Sequence, residues 1–190
     1  MADIILSILI IIFTLPLLIF FSIFIFVEDF GPILYFQKRV GKNGNTFTIC
    51  KLRTMRTNAE LKGAQWSKKE DIRITSIGKF LRSTRIDELP QLFSVLIGDM
   101  SLIGPRPERP EMDLILKEKI PFYDLRYLVK PGLSGWAQVN FPYGSSIQDS
   151  ESKLTYDFFY IKKFSFWLDL LIFFKTIRLV SRREGALPLK

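Results

Sequence analysis

The chain has no histidine. That removes imidazole general bases, Ser/His/Asp and Cys/His triads, and histidine metal sites. Cys50 is the only cysteine, which excludes intrachain disulfides and cysteine-rich zinc sites. What remains for chemistry is carboxylates, lysine, arginine, tyrosine and hard cations. A third scarcity is local: the first 27 residues carry a single charge, Asp3. The formal charge of +8 therefore belongs to the remainder, where 27 Lys and Arg against 18 Asp and Glu leave +9. A basic body suits anionic partners, whether nucleic acid, lipid headgroups or phosphorylated small molecules. At 190 residues the chain makes one domain, or one domain with an anchor.

The anchor is written in the charge-free stretch. Ile4 to Val27 is an uncharged run of 24 residues, longer than the roughly 20 that cross a bilayer core as a helix. It is too long for a cleaved signal peptide, no basic residues precede it and no small-residue cleavage site follows. Pro16 stands mid-run and removes a backbone donor, so a kink or a break is expected there. Two topologies fit: a kinked spanning helix, or a re-entrant helix-break-helix that returns to the same leaflet. Lys38, Arg39, Lys42, Lys51, Arg53 and Arg56 follow the run and place the body on the cytoplasmic side in either case. Residues 1–30 are thus read as a membrane-embedded segment and 31–190 as the body.

In the body, Ile33 to Val40 and Thr46 to Met55 flank Asn43-Gly44, a hairpin signature. Lys51 and Arg53 share parity and would leave a strand on one face, as plain surface cations or as a pair aimed at a phosphate. The polar stretch from Asn58 to Arg73 reads as a loop. Helical spacing runs over Ile77 to Ile86, and a second helix is expected from Glu88 to Ile97 with Gly98 as its stop. GPRPERPE reads as an extended turn. Residues 111 to 129 look helical with a break near Pro121. VKPGLSGWAQVNFPYGSS reads as a binding loop or a packed surface loop. Ser165 to Arg183 is apolar yet interrupted by Asp169, Lys175 and Arg178, the pattern of an interfacial helix. The fold class expected is α+β, mainly helical with a small β-hairpin.

Asp87 and Glu88 stand side by side just before Pro90. Proline is tolerated in a first helical turn, so the plain reading is an N-cap aspartate and a glutamate matched to the helix dipole, each stabilising by up to about 1 kcal/mol. The surroundings argue for more. Arg82 and Arg85 precede the pair, Arg106 and Arg109 follow it, and neighbouring positive charge is expected to keep both carboxylates ionised. Such a pair can bind Mg²⁺, which takes one or two carboxylates and completes its shell with water and substrate phosphate. Arginine adds bidentate phosphate recognition. The parts make a phosphoryl-transfer site that needs no histidine.

These residues carry a resemblance. KLRTM (51–55), RIDELPQLFSVLIGDMSLIGPRPERPE (85–111), PGLSGWAQVN (131–140), KLTYDFFYIKKFS (153–165) and the late LDLLIFFKTIRLV resemble, in order and over nearly the whole chain, the bacterial sugar transferases, monotopic phosphoglycosyl transferases. The resemblance implies transfer of a sugar 1-phosphate from a UDP-sugar to polyprenol (undecaprenyl) phosphate, with release of UMP, at the cytoplasmic face of the bacterial inner membrane. It implies Asp87 as the nucleophile of a covalent phosphosugar intermediate and Glu88 as the Mg²⁺ ligand beside it. Arg106 of the GPRP stretch becomes a contact for phosphate or uridine diphosphate, with Lys51, Arg53 and Arg85 as further clamps. Asp157 and Tyr160 become site-shaping groups, and Gln138 a contact for sugar or base. Trp136 is read as packing. The resemblance also favours the re-entrant topology.

The chain departs from many relatives in opening MADII without a basic pair, in Leu15 before Pro16, in Leu52 and Ser94, and in Asn140-Phe141 where Asn-Gly is common. The last, with PERPE, resembles the exopolysaccharide-initiating branch, whose members often use hexose donors. The multi-span N-terminal region of larger members has no counterpart in these residues. Association into a homo-oligomer is left open. The competing reading is a membrane-anchored adaptor that binds anionic lipid or polymer without chemistry. No nucleic-acid partner is expected, since no binding module is recognisable and the aromatic residues cluster with the membrane-type runs.

Overall fold

The computed structural model describes residues 2–60, 63, 71–142, 144 and 146–183. Its longest element, α1 (Ala2–Glu28), carries Pro16 inside a continuous helix. The expected break is therefore not an interruption of the helix. It is the one helix among the described residues long and apolar enough to cross a membrane by length and composition. Most of its surface is bare, with Phe13 79% and Val27 64% exposed, which water would penalise and lipid would not. Leu18 and Ile25 instead turn inward and pack on Leu52 and Leu81, so the apolar helix shares a core with the body.

Both ends of α1 are tied to that body. Near its start, Asp3 accepts a hydrogen bond from the Ser101 hydroxyl at 2.7 Å. At its end, Glu28 accepts from the backbone N–H of Ser76 at 2.7 Å, and Arg53 donates to the carbonyls of Ile25 and Asp29. The last four carbonyls of a helix have no partner within it, and a guanidinium at that point satisfies them and meets the negative end of the dipole.

Asn43-Gly44 makes the expected hairpin. Strands β1 (Leu34–Val40) and β2 (Thr46–Leu52) pair antiparallel, with Tyr35 opposite Lys51 and Val40 opposite Thr46. A short 3₁₀ turn joins them, with Asn43 at φ 57° and Gly44 at φ 77°, the left-handed region that Asn and Gly enter most readily. Helix α2 (Ser76–Thr84) follows, capped by Thr75, whose hydroxyl accepts from the N–H of Gly78. The polar loop expected over 58–73 lies mostly outside the described residues.

After α2 comes a six-residue 3₁₀ turn (Ile86–Gln91) and then α3 (Leu92–Leu96). The expected helix from Glu88 to Ile97 is thus split. Pro90 has no N–H to give the Ile86 carbonyl, so the first turn tightens and the N–H of Glu88 bonds to the Arg85 carbonyl at 3.2 Å. Strand β3 (Ser101–Ile103) leads into the extended GPRP segment, α4 (Pro110–Lys119) follows it, and a 3₁₀ stretch (Tyr123–Leu128) lies beyond Pro121. Strand β4 (Gly132–Ser134) pairs parallel with β3. A Cβ on Gly132 would lie 2.0 Å from the backbone N of Gly104, and one on Gly104 would lie 2.4 Å from the Lys130 carbonyl oxygen. Glycine alone lets GPRP dock this closely. Helices α5 (Trp136–Asn140), α6 (Ile147–Lys163) and α7 (Phe166–Arg182) complete the chain. Ile172 of α7 is fully buried while Phe166, Trp167, Phe174 and Ile177 face outward, the two faces expected of an interfacial helix.

Candidate active site

The 3₁₀ turn sets the two carboxylates on a cavity wall. Arg85, at φ 56° and ψ 17°, reverses the chain between α2 and the turn. A left-handed non-glycine residue is uncommon and is retained where surroundings hold it. Both acids lie in the first turn, as the plain reading expects, but the N-cap position belongs to Arg85 and neither carboxylate makes a side-chain cap. Both are buried, and both line a cavity of about 640 Å³.

Glu88 is clamped by cations. Its Oε1 accepts from Lys51 Nζ at 2.8 Å and from Arg106 Nη2, and its Oε2 lies 3.3 Å from Arg106 Nη1 and 3.7 Å from Arg85 Nη1. Burial works against its charge, yet Arg106, Lys51 and Arg85 hold Glu88 well below the usual carboxylate range. Asp87 is different. No hydrogen bond reaches its carboxylate from the described residues, and burial, reinforced by the Glu88 charge, pushes it up to about 6. The expected lowering by surrounding cations is therefore corrected for Asp87, which is raised instead, although at about 6 it is still mostly ionised at neutral pH. Desolvation outweighs cations whose hydrogen bonds go to its neighbour.

The opposite wall comes from α6 and the 3₁₀ stretch after α4. Arg126 Nη2 pairs with Asp157 Oδ2 at 2.9 Å and donates to the Arg106 carbonyl at 2.7 Å, and its Nη1 donates to the Tyr123 hydroxyl. Burial raises Asp157 to about 6, with the Arg126 charge opposing. Burial would likewise weaken Arg126's hold on its proton, but Tyr123 and Asp157 reverse that and keep it charged.

The other sequence candidates divide. Lys51, Arg53, Arg85, Arg106, Gln138 and Asp157 all line the same cavity as the carboxylate pair. Lys51 and Arg53 nevertheless diverge: Lys51 goes to Glu88, whereas Arg53 lies beyond the end of β2 and gives its Nη2 to the end of α1, with Nη1 3.6 Å from the Asp29 carboxylate. Gln138 donates to the Leu133 carbonyl at 3.0 Å and leaves its buried Oε1 without a partner among the described residues. Tyr160 does not line the cavity. Its hydroxyl donates to Asp169 at 2.8 Å and ties α6 to α7. Arg126 went unnoticed in the sequence, and Arg39, which donates to the Pro107 carbonyl at 3.0 Å, was read only as one of the cations following the apolar run. The available signal was one cation in the expected hairpin and one in the segment after Pro121, with no spacing to link either to GPRP.

The donor set for a hard divalent cation is small. No cluster of three or more acidic or cysteine side chains occurs among the described residues. Asp87 and Glu88 nevertheless fit Mg²⁺. Asp87 accepts no hydrogen bond from the described residues, Glu88 Oε2 is only loosely contacted, and Mg²⁺ needs few protein ligands when water and phosphate fill its shell.

Comparison with known proteins places the whole chain rather than the individual residues. Residues 1–183 match the family described as bacterial sugar transferase. The chain is 49% identical over 171 residues to a UDP-N-acetylgalactosamine-undecaprenyl-phosphate N-acetylgalactosaminephosphotransferase of Aeromonas hydrophila, covering 90% of this chain and 40% of that protein. It is 38% identical over 203 residues to an undecaprenyl-phosphate galactose phosphotransferase of Salmonella typhimurium, covering 97% of this chain and 40% of that one. A UDP-glucose:undecaprenyl-phosphate glucose-1-phosphate transferase of Klebsiella pneumoniae is 40% identical over 177 residues, 92% of this chain and 38% of its own length. The chain thus spans about two fifths of these relatives.

Proposed function

We propose, from the premise that this chain belongs to the bacterial sugar transferase family, that it transfers a sugar 1-phosphate from a UDP-sugar to a polyprenol phosphate and releases UMP. The observation that carries the reading is the contrast within one turn: Asp87 without a hydrogen bond from the described residues, beside Glu88 gripped by Lys51 and Arg106, on a cavity large enough for a nucleotide sugar.

An Asp87 carboxylate oxygen attacks the sugar-bearing phosphorus. The bond from that phosphorus to the bridging oxygen breaks, and UMP leaves with the electron pair. An oxygen of the polyprenol phosphate then attacks the same phosphorus, Asp87 departs as a carboxylate, and the product is a polyprenyl-diphosphate-sugar. Splitting the displacement keeps the two anionic substrates from having to react directly with each other. Lys51, Arg85 and Arg106 stand where the transferred phosphoryl would sit, and Glu88 holds them there before substrate arrives, which is electrostatic preorganisation. Arg126 steadies the Arg106 carbonyl. The unpartnered Oε1 of Gln138 suits a sugar hydroxyl. When bound at Asp87 and Glu88, Mg²⁺ would supply charge neutralisation at the diphosphate.

The proposed setting is the cytoplasmic face of the bacterial inner membrane, with α1 dipping into one leaflet. Attachment of both α1 ends to the body supports that topology over a spanning one. The test is UMP release by the full chain in nanodiscs with undecaprenyl phosphate, Mg²⁺ and, in turn, UDP-N-acetylgalactosamine, UDP-galactose and UDP-glucose. Asp87→Asn should lower release at least about 10³-fold. Turnover retained by that variant removes the nucleophile assignment, and no release with any donor removes the reading.

A further inference from the structure

A second cavity of about 310 Å³ shares Arg85, Glu88 and Gln138 with the first. Its other walls are of opposite character. Ile86 and Leu89 of the catalytic turn, Leu133 of β4, Val139 of α5, and Leu179 and Val180 of α7 make it a predominantly apolar groove. Two of its polar members are spent on each other and on the backbone: the Ser134 and Thr176 hydroxyls lie 2.5 Å apart, and Thr176 also donates to the Ile172 carbonyl at 2.8 Å. A uridine or a sugar would find few partners here and would leave its own polar groups unpaired. Hydrocarbon would lose nothing.

The groove also combines two kinds of lining. Its lining includes Glu88 and Arg85, whose carboxylate and guanidinium are 3.7 Å apart. It also includes Leu179 and Val180 of α7, a helix that exposes Phe166, Trp167, Phe174 and Ile177 elsewhere on its surface. An amphiphile with an anionic head and an apolar tail would satisfy both kinds of lining at once. We infer that this groove receives the first isoprene units of the polyprenol phosphate, with the phosphate at Arg85 beside Asp87 and the tail leaving along α7. The inference rests on the transfer reading above and adds the path by which the lipid acceptor enters. The groove's size, at the lower end of the roughly 300–1,000 Å³ that ligand pockets span, suits the proximal part of such a chain, with the rest left in the bilayer.

The two half-reactions separate donor from acceptor. Single-turnover UMP release without acceptor reports the donor side alone, whereas the KM for undecaprenyl phosphate reports the acceptor side. Leu179→Trp, which fills the groove, and Leu179→Ser, which makes its wall polar without adding bulk, are each compared with wild type in nanodiscs, using the donor that gives the strongest release. Both should raise the KM for undecaprenyl phosphate by about tenfold or more while acceptor-free release changes by less than about twofold. An unchanged KM in either variant that keeps acceptor-free release overturns the assignment. Loss of acceptor-free release in both variants overturns it too, because the groove would then serve the donor. Wild-type protein that releases no UMP without acceptor instead sinks the two-step transfer reading, a result distinct from either outcome.

Discussion

The two walls of the large cavity each bury an acid among cations, and they use them differently. On the wall made by the 3₁₀ turn, Lys51, Arg85 and Arg106 converge on Glu88 while Asp87 stands beside it without a hydrogen bond from the described residues. On the wall made by α6, one guanidinium, Arg126, meets one carboxylate, Asp157, and spends its remaining donors on the Tyr123 hydroxyl and the Arg106 carbonyl. The first wall carries more positive charge than its clamped acid can neutralise and so has attraction left for an anionic ligand. The second is closed upon itself and fixes a loop. A buried ion pair by itself therefore says little about function; the ratio of cations to acids, and where the remaining donors point, says more.

That contrast can be broken from either side. The largest effect is expected on the closed wall: Arg126→Met leaves Asp157 buried without its partner and frees the GPRP loop, and thermal unfolding in detergent should show a loss of about 3–5 kcal/mol. Glu88→Gln on the open wall should cost less in stability and more in rate, lowering kcat for UMP release about 10²–10³-fold, since three cations lose the group that orients them. An equal drop in stability for both variants would erase the distinction between the walls.

The pH response sharpens it further. Asp157 binds its proton more tightly folded, at about 6, than in the unfolded chain, whose reference value is 3.8. Its contribution to stability is therefore complete below about pH 4 and is lost as pH rises through about 6. Asp157→Asn lacks that slope, so wild type should lose up to roughly 3 kcal/mol relative to the variant between pH 4 and pH 7. A gap that stays constant over this range would contradict the burial of Asp157. The smallest effect is expected for Arg106→Lys, which keeps the charge and loses the fork: KM for the UDP-sugar should rise about tenfold.

Much of this was legible in the residues. Asn43-Gly44 announced the hairpin because few sequences enter the left-handed region twice in succession. The Asp-Glu pair and its arginines, grouped in the sequence, do line one cavity. Lys51 does reach Glu88 on the cavity wall, but Arg53 was not separable from it, because parity along a strand ends where the strand does. Strands β3 and β4 carry three residues each and pair across about thirty positions, too short for any period to register. Tyr160 was drawn into the site by its motif, whereas its hydroxyl answers to Asp169, a partner on the next helix that motif reading does not weigh. The bareness of Asp87 was also beyond the sequence, since proximity along the chain does not say which acid receives the hydrogen bonds.

The contact between Glu28 and the start of α2 has a consequence for how the substrates meet. α1 ends at Glu28, Glu28 holds the first amides of α2, and α2 runs to Thr84, directly before Arg85 and Asp87. The elevation of Asp87 above the apolar helix is therefore a fixed dimension of the molecule, set like the height of a gauge on its stand. Under the proposed transfer, a lipid-borne acceptor would have to search only a plane to find Asp87, while the soluble donor would descend to that plane. The division of labour between a two-dimensional and a three-dimensional search is built into one carboxylate and two backbone N–H groups.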